Sequence, residues 1–168
     1  ICLTIAGHTR PSDGGSTSRY SVSADYAAPL AGGEFQSTAY WMKYRLNLYS
    51  NFSFYLNDPV HGDQFEQSDD RNVYGWTGEW TRRATLFDRP SLNTLGYELR
   101  QDRIKPVGLY ATRQRERLST TRLDDVIESS VGLYAANDTQ WAEGMRSIVG
   151  LRYDRYRTAA DRLRAEGW

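Results

Sequence analysis

Tyr40-Trp-Met-Lys-Tyr-Arg-Leu-Asn-Leu-Tyr-Ser-Asn-Phe-Ser-Phe-Tyr-Leu56 is the stretch from which the fold is read. Its even positions are Tyr40, Met42, Tyr44, Leu46, Leu48, Ser50, Phe52, Phe54 and Leu56, and the odd positions between them include Lys43, Arg45, Asn47, Asn51 and Ser53. Side chains alternate faces along a β-strand, so period 2 over this length predicts a strand with one apolar and one polar face. From Phe35 to Leu56 the pattern covers 22 residues. Strands of ordinary globular proteins run to about 5–6.

The same alternation recurs on both sides of this stretch. Tyr20, Val22, Ala24 and Tyr26 alternate with Arg19, Ser21, Ser23 and Asp25. Tyr74, Trp76, Gly78 and Trp80 alternate with Gly75, Thr77, Glu79 and Thr81. Further segments centre on Leu95–Leu99, Ile127–Leu133 and Val149–Tyr153, and Ile1, Leu3 and Ile5 read as the tail of one more. The sum is about seven strands in an antiparallel, up-and-down, all-β sheet. Short breaks are expected at residues 29–33, 88–91 and 136–139, and long polar loops at 8–17, 57–70 and 105–123. Short turns at one end and long loops at the other are the habit of outer-membrane barrels.

Composition narrows the function classes. Twenty-one Lys and Arg balance 21 Asp and Glu, with no basic block, which argues against a nucleic-acid binder acting by phosphate neutralisation. No apolar run is long enough for a transmembrane helix. The single cysteine, Cys2, provides neither a disulfide framework nor a thiolate zinc site. Mean hydropathy is −0.68, yet 5 Trp, 12 Tyr and 5 Phe do not fit the aromatic-poor composition of disordered chains. The chain is read as a fragment, 1–168 forming part of one domain.

Alternation by itself is symmetric under inversion: the apolar face can meet a protein core or a lipid bilayer. Strand length favours lipid, as do Tyr and Trp near strand ends and mixed charges on the other face. On this reading Tyr40, Met42, Tyr44, Leu46, Leu48, Phe52, Phe54, Val131, Leu133, Val149 and Leu151 face lipid. Lys43, Arg45, Glu79, Glu98, Arg100, Glu128, Arg152 and Asp154 line a hydrated lumen. The assignment predicts that Leu48→Arg blocks assembly while Asn47→Arg is tolerated.

Tyr44-Arg-Leu-Asn-Leu-Tyr-Ser-Asn-Phe-Ser-Phe-Tyr-Leu-Asn-Asp-Pro59 is followed by Gly62-Asp-Gln-Phe-Glu-Gln67, then by Val107-Gly-Leu-Tyr-Ala-Thr112 and Gly150-Leu-Arg-Tyr-Asp-Arg-Tyr156. In content and order these stretches resemble the barrel domain of TonB-dependent outer-membrane receptors, over about residues 18–157. The resemblance implies a large transmembrane barrel closed around a plug domain, in the outer membrane of a Gram-negative bacterium. It also implies energised uptake of scarce nutrients such as ferric siderophores. Expected partners are outer-membrane lipid, the receptor's own plug, an inner-membrane TonB-type coupling protein and a small-molecule or metal-chelate ligand. No plug, coupling motif or closing strand is found in this sequence, so it corresponds to a partial barrel that is not expected to transport alone. The competing class is a soluble all-β ligand- or carbohydrate-binding domain with its apolar face inward.

Candidate sites are sparse. Arg113, Arg115 and Arg117, with Tyr110 beside them, form the candidate set for an anionic ligand in an outer loop, weighed against a plain hydrated loop. His61, Asp63, Glu66, Asp69 and Asp70 match no metal-ligand spacing, and His8 is read as a surface residue. No nucleophile–base set or Gly-rich phosphate loop points to an enzyme, and no cofactor or metal is expected.

Overall fold

The computed structural model describes residues 2–5 and 12–165; Ile1, His8 and residues 8–11 of the loop expected at 8–17 lie outside them, while residues 14–17 of that expected loop are strand. The described residues form one sheet of seven strands: β1 (Cys2–Ile5), β2 (Gly14–Leu30), β3 (Gly33–Ser50), β4 (Phe65–Leu86), β5 (Arg89–Arg113), β6 (Glu116–Ala142) and β7 (Met145–Ala165). Each strand pairs antiparallel with its neighbours in sequence, in the order β1-β2-β3-β4-β5-β6-β7. The all-β, up-and-down sheet read from alternation is therefore the fold. The sheet is open, with β1 and β7 at its two edges.

The strands run well past their alternating segments. β4, β5 and β6 have 22, 25 and 27 residues. Two expected interruptions are strand instead, and residues 65–70 of the loop expected at 57–70 open β4. The polar stretch 105–123 continues β5 and β6 around a tight turn at Gln114–Arg115, where φ is 52° and 70°. The break expected at 136–139 lies inside β6, and the chain turns later, at Glu143–Gly144. There the polar side chains bond one another: across the ladder Asn137 donates to Ser91 Oγ (2.7 Å) and Asn93 Oδ1 (2.8 Å), and within β6 Thr139 donates to Asn137 Oδ1 (2.7 Å). Composition resembled a turn because these groups are polar; cross-strand bonding keeps them in the sheet.

Two other turns overlap the breaks expected at 29–33 and 88–91, although residues 89–91 are strand. Ala31–Gly32 joins β2 to β3 and Phe87–Asp88 joins β4 to β5, both with two positive φ values. That geometry matches the right-handed twist of the flanking strands. Between β3 and β4 a longer connection spans residues 51–64. β3 ends at Ser50, so Phe52 and Phe54 leave the strand predicted for them and sit in this connection.

Almost nothing in the sheet resembles a core. Among the described residues, the buried apolar side chains are Val73, Ile104 and Tyr110. Tyr20, Val22, Tyr26, Leu133, Val149 and Leu151 are all more than half exposed.

Candidate functional site

Strand register decides which side chains share a face, because residues directly opposite in a ladder point the same way. One face carries an apolar band. A continuous row crosses it as Tyr26–Ser37–Gly78–Tyr97–Leu133–Tyr153, and the next as Ala28–Phe35–Trp80–Leu95–Ala135–Leu151. On the side away from the Ala31–Gly32 turn, a third row reads Ala24–Ala39–Trp76–Leu99–Val131–Arg155. Trp76 meets Tyr97 edge to face, with centroids 5.2 Å apart. The indoles use their polar tips: Trp80 donates to the Leu30 carbonyl (2.8 Å), Trp41 to Asn72 Oδ1 (3.2 Å) and Trp76 to Ser37 Oγ (2.7 Å).

The opposite face is a charged wall. Its rows include Gln36–Glu79–Gly96–Tyr134–Arg152 and Thr38–Thr77–Glu98–Gly132–Asp154. Arg152 donates to Glu98 (2.5 Å) and to both oxygens of Asp154, and Tyr134 donates to Glu79 Oε2 (2.9 Å). Same-strand pairs two residues apart repeat along it: Arg100 with Asp102, Arg71 with Asp69, and Arg122 with Asp124. Tyrosines lie flat where the facing residue has no side chain. A Cβ on Gly75 would overlap the Tyr40 ring, and one on Gly96 would overlap Tyr134. These cross-strand Tyr–Gly pairs fill the gap that glycine leaves in a sheet.

This register divides the predicted face sets. Glu79, Glu98, Arg100, Glu128, Arg152 and Asp154 share the charged wall, and Val131, Leu133, Val149 and Leu151 share the apolar band. β3 is inverted relative to expectation. Tyr40, Met42, Tyr44, Leu46 and Leu48 lie opposite Gly75, Val73, Arg71, Asp69 and Gln67, on the charged wall. Lys43 and Arg45 lie opposite Asn72 and Asp70, in line with Tyr74 and Trp76 on the other face. The physical reason is that β3 extends beyond the band and carries apolar groups on the wall side there. Met42 packs beside Val73, which is 1% exposed. Lys43 and Arg45 share the carboxylate of Asp70. The expected contrast between Leu48→Arg and Asn47→Arg falls with this inversion.

At the loop end, the register sets Tyr49, Glu66 and Tyr110 in one row. Arg117 lies over the Tyr110 ring, 3.7 Å from its centroid, and donates through Nε (2.6 Å) and a terminal nitrogen (2.9 Å) to Glu66, which is 2% exposed. Arg115 donates to the backbone carbonyls of Ser12 (2.9 Å) and Asp13 (3.1 Å) and lies 5.4 Å from the Tyr49 centroid. Tyr110, Arg115 and Arg117 are thus brought together, whereas Arg113 is exposed at the end of β5. The guanidiniums of Arg115 and Arg117 are already taken by protein acceptors, so this cluster ties strand ends together rather than presenting free positive charge.

The connection 51–64 folds over the charged wall and lines with it a half-open cavity of about 600 Å³, bordered among others by Phe52, Asp58, Asp63, Phe65, Leu109 and Leu118. Phe52 lies 5.8 Å from Phe65, centroid to centroid. Carboxylates hold the loop's backbone. Asp63 accepts from the N–H of Asn57 and of Asp58 (2.7 Å), and Asp58 from the N–H groups of Val60 and His61 (both 2.9 Å). The donated bonds, first from the His61 backbone for Asp58 and first from the Asn57 backbone for Asp63, hold both carboxyls below the ordinary value of 3.8. The cavity escaped sequence reading because Phe52 and Phe54 continue the strand alternation. The Asn57-Asp58-Pro59 turn signal was the cue that the strand had ended.

No group of three or more His, Cys, Asp or Glu side chains is placed to hold a metal among the described residues. Comparison with family models, with curated proteins and with solved structures finds no match to this chain.

Proposed function

We propose that this chain is wall and outer loop of a transmembrane β-barrel, part of an outer-membrane receptor for energised uptake of scarce nutrients such as ferric siderophores. The supporting observation is the exposed apolar band on one face, with paired charges on the other. On β2 the band runs from Tyr20 to Leu30, roughly 33 Å of strand at a rise of about 3.3 Å per residue. Tilted by about 45°, it would stand roughly 23 Å tall, close to the apolar belt of about 25 Å on outer-membrane barrels. The band's upper limit drops two ladder rows from Trp41 on β3 to Tyr153 on β7, as strands crossing a bilayer obliquely require. Charges on the other face pair with one another, which suits a hydrated wall.

The receptor half of the proposal rests on the sequence resemblance. Ligand contact is assigned to the cavity under the 51–64 loop, whose size lies within the range of small-molecule sites. The deciding measurement is partition. Diluted from urea, the chain should bind phosphatidylcholine vesicles and acquire β-structure there, with the open edges at β1 and β7 paired between copies because hydrocarbon does not tolerate an unpaired edge, and it should aggregate in plain buffer. A compact, soluble monomer in buffer without detergent overturns the membrane assignment in favour of a soluble all-β binding domain.

A further inference from the structure

Immediately beyond the apolar band, on the same face and away from the two-residue turns of β2–β3 and β4–β5, the side chains become basic. Lys43 follows Trp41 on β3, Arg103 follows Gln101 on β5, and Arg155 and Arg157 follow Tyr153 on β7. Arg45 stands one row further out than Lys43. The acid facing these five cations is Asp70, which Lys43 and Arg45 share. Asp125 and Asp161 are opposite one another further out, and Asp125 is paired with Lys105 at 3.3 Å. Arg103 is exposed, donates to the neutral Gln101 (2.8 Å) and lies 5.8 Å from the Tyr74 centroid. Arg155 and Arg157 are exposed and make no ion pair among the described residues.

This pattern differs from the charged wall behind it, where Arg71, Arg100, Arg122 and Arg152 each pair with an aspartate on the same strand. Here the positive charge is left unbalanced, and it follows the edge of an aromatic band. We propose that Arg103, Arg155 and Arg157, with the net positive charge that Lys43 and Arg45 leave over their shared Asp70, form a belt that binds the phosphates of lipid headgroups at the bilayer surface, an inference that rests on the membrane reading above. The chemistry recognised is a phosphate monoester or diester held at the height of the Trp and Tyr rings. Guanidiniums suit it because they donate in a planar fork to phosphate oxygens. The occupant is a lipid rather than a free anion because the cations border a face that carries three or more apolar side chains on each strand from β2 to β7.

The test uses the full chain, diluted from urea into vesicles of phosphatidylcholine or of phosphatidylcholine with phosphatidylglycerol, with bound protein measured by flotation. A cation near an anionic surface contributes about a fivefold gain in partition, so three contribute on the order of a hundredfold. Arg103→Gln, Arg155→Gln and Arg157→Gln combined should lose that preference for anionic vesicles and keep binding to neutral ones. The matching Lys triple should retain the preference. A control triple on the opposite face, Arg19→Gln, Arg83→Gln and Arg162→Gln, should also retain it. Equal loss in the belt and control triples, or loss in neither, overturns the belt. Displacement by inorganic phosphate at constant ionic strength overturns lipid as the occupant. Failure of the unaltered chain to bind even neutral vesicles overturns the membrane reading itself, and the belt with it.

Discussion

The sharpest prediction contrasts an arginine on each face. Leu133 sits mid-band on β6, between Tyr97 and Tyr153, and is 52% exposed. If lipid covers this face, Leu133→Arg moves a guanidinium near the bilayer midplane at a cost of about 2–4 kcal/mol. Losing a half-covered leucine adds about 1 kcal/mol. The sum, about 4 kcal/mol, lowers the folded-to-unfolded ratio on the order of a thousandfold. Leu46 lies on the charged wall, between Thr17 and Asp69. Leu46→Arg places its cation beside a carboxylate in water and is expected to change stability by less than about 1 kcal/mol. Urea midpoints of both variants, folded in phosphatidylcholine vesicles, measure the difference. Equal shifts at the two positions refute the face assignment. A larger loss at Leu46 would restore the inverted one.

Other outcomes follow from particular contacts. Arg117→Ala strands the buried Glu66 carboxylate and should destabilise by about 3 kcal/mol, with Glu66→Gln in the same chain recovering much of the loss; denaturant unfolding of the two variants checks this. Gly75→Ala forces the Tyr40 ring aside and should cost about 1–3 kcal/mol, and a double-mutant cycle with Tyr40→Ala should show the two changes to be less than additive. Asp58 and Asp63 have lowered folded pKa values, so their support of the 51–64 loop is complete above the ordinary 3.8 and is lost as pH falls through the folded values beneath it. Hydrogen exchange at the Asn57, Val60 and His61 amides, corrected for intrinsic rate, should stay protected at neutral pH and lose protection only below that value. Protection unchanged down to pH about 2 would refute the role of those carboxylates.

Alternation alone determined much about this protein. Period 2 is a local property of the chain, so the strand-forming segments, the all-β class and their antiparallel succession were legible from Tyr20, Tyr40–Leu48, Tyr74–Trp80 and Val149–Tyr153 without any partner in view. Strand ends were less legible. Polar residues such as Asn137 and Thr139 look like turn formers until the network that joins Thr139 to Asn137 and Asn137 across the ladder is known. Phe52 and Phe54 prolong an alternation that the backbone has already abandoned. The common face of Tyr40 and Glu98 was decided only by the tertiary structure. A strand read singly has two equivalent faces, and a shift of one residue in pairing exchanges them. Only the register of β3 against β4 sets Lys43 in line with Tyr74 and Met42 beside Val73, because hydrogen bonds between distant segments fix what spacing within one segment leaves symmetric.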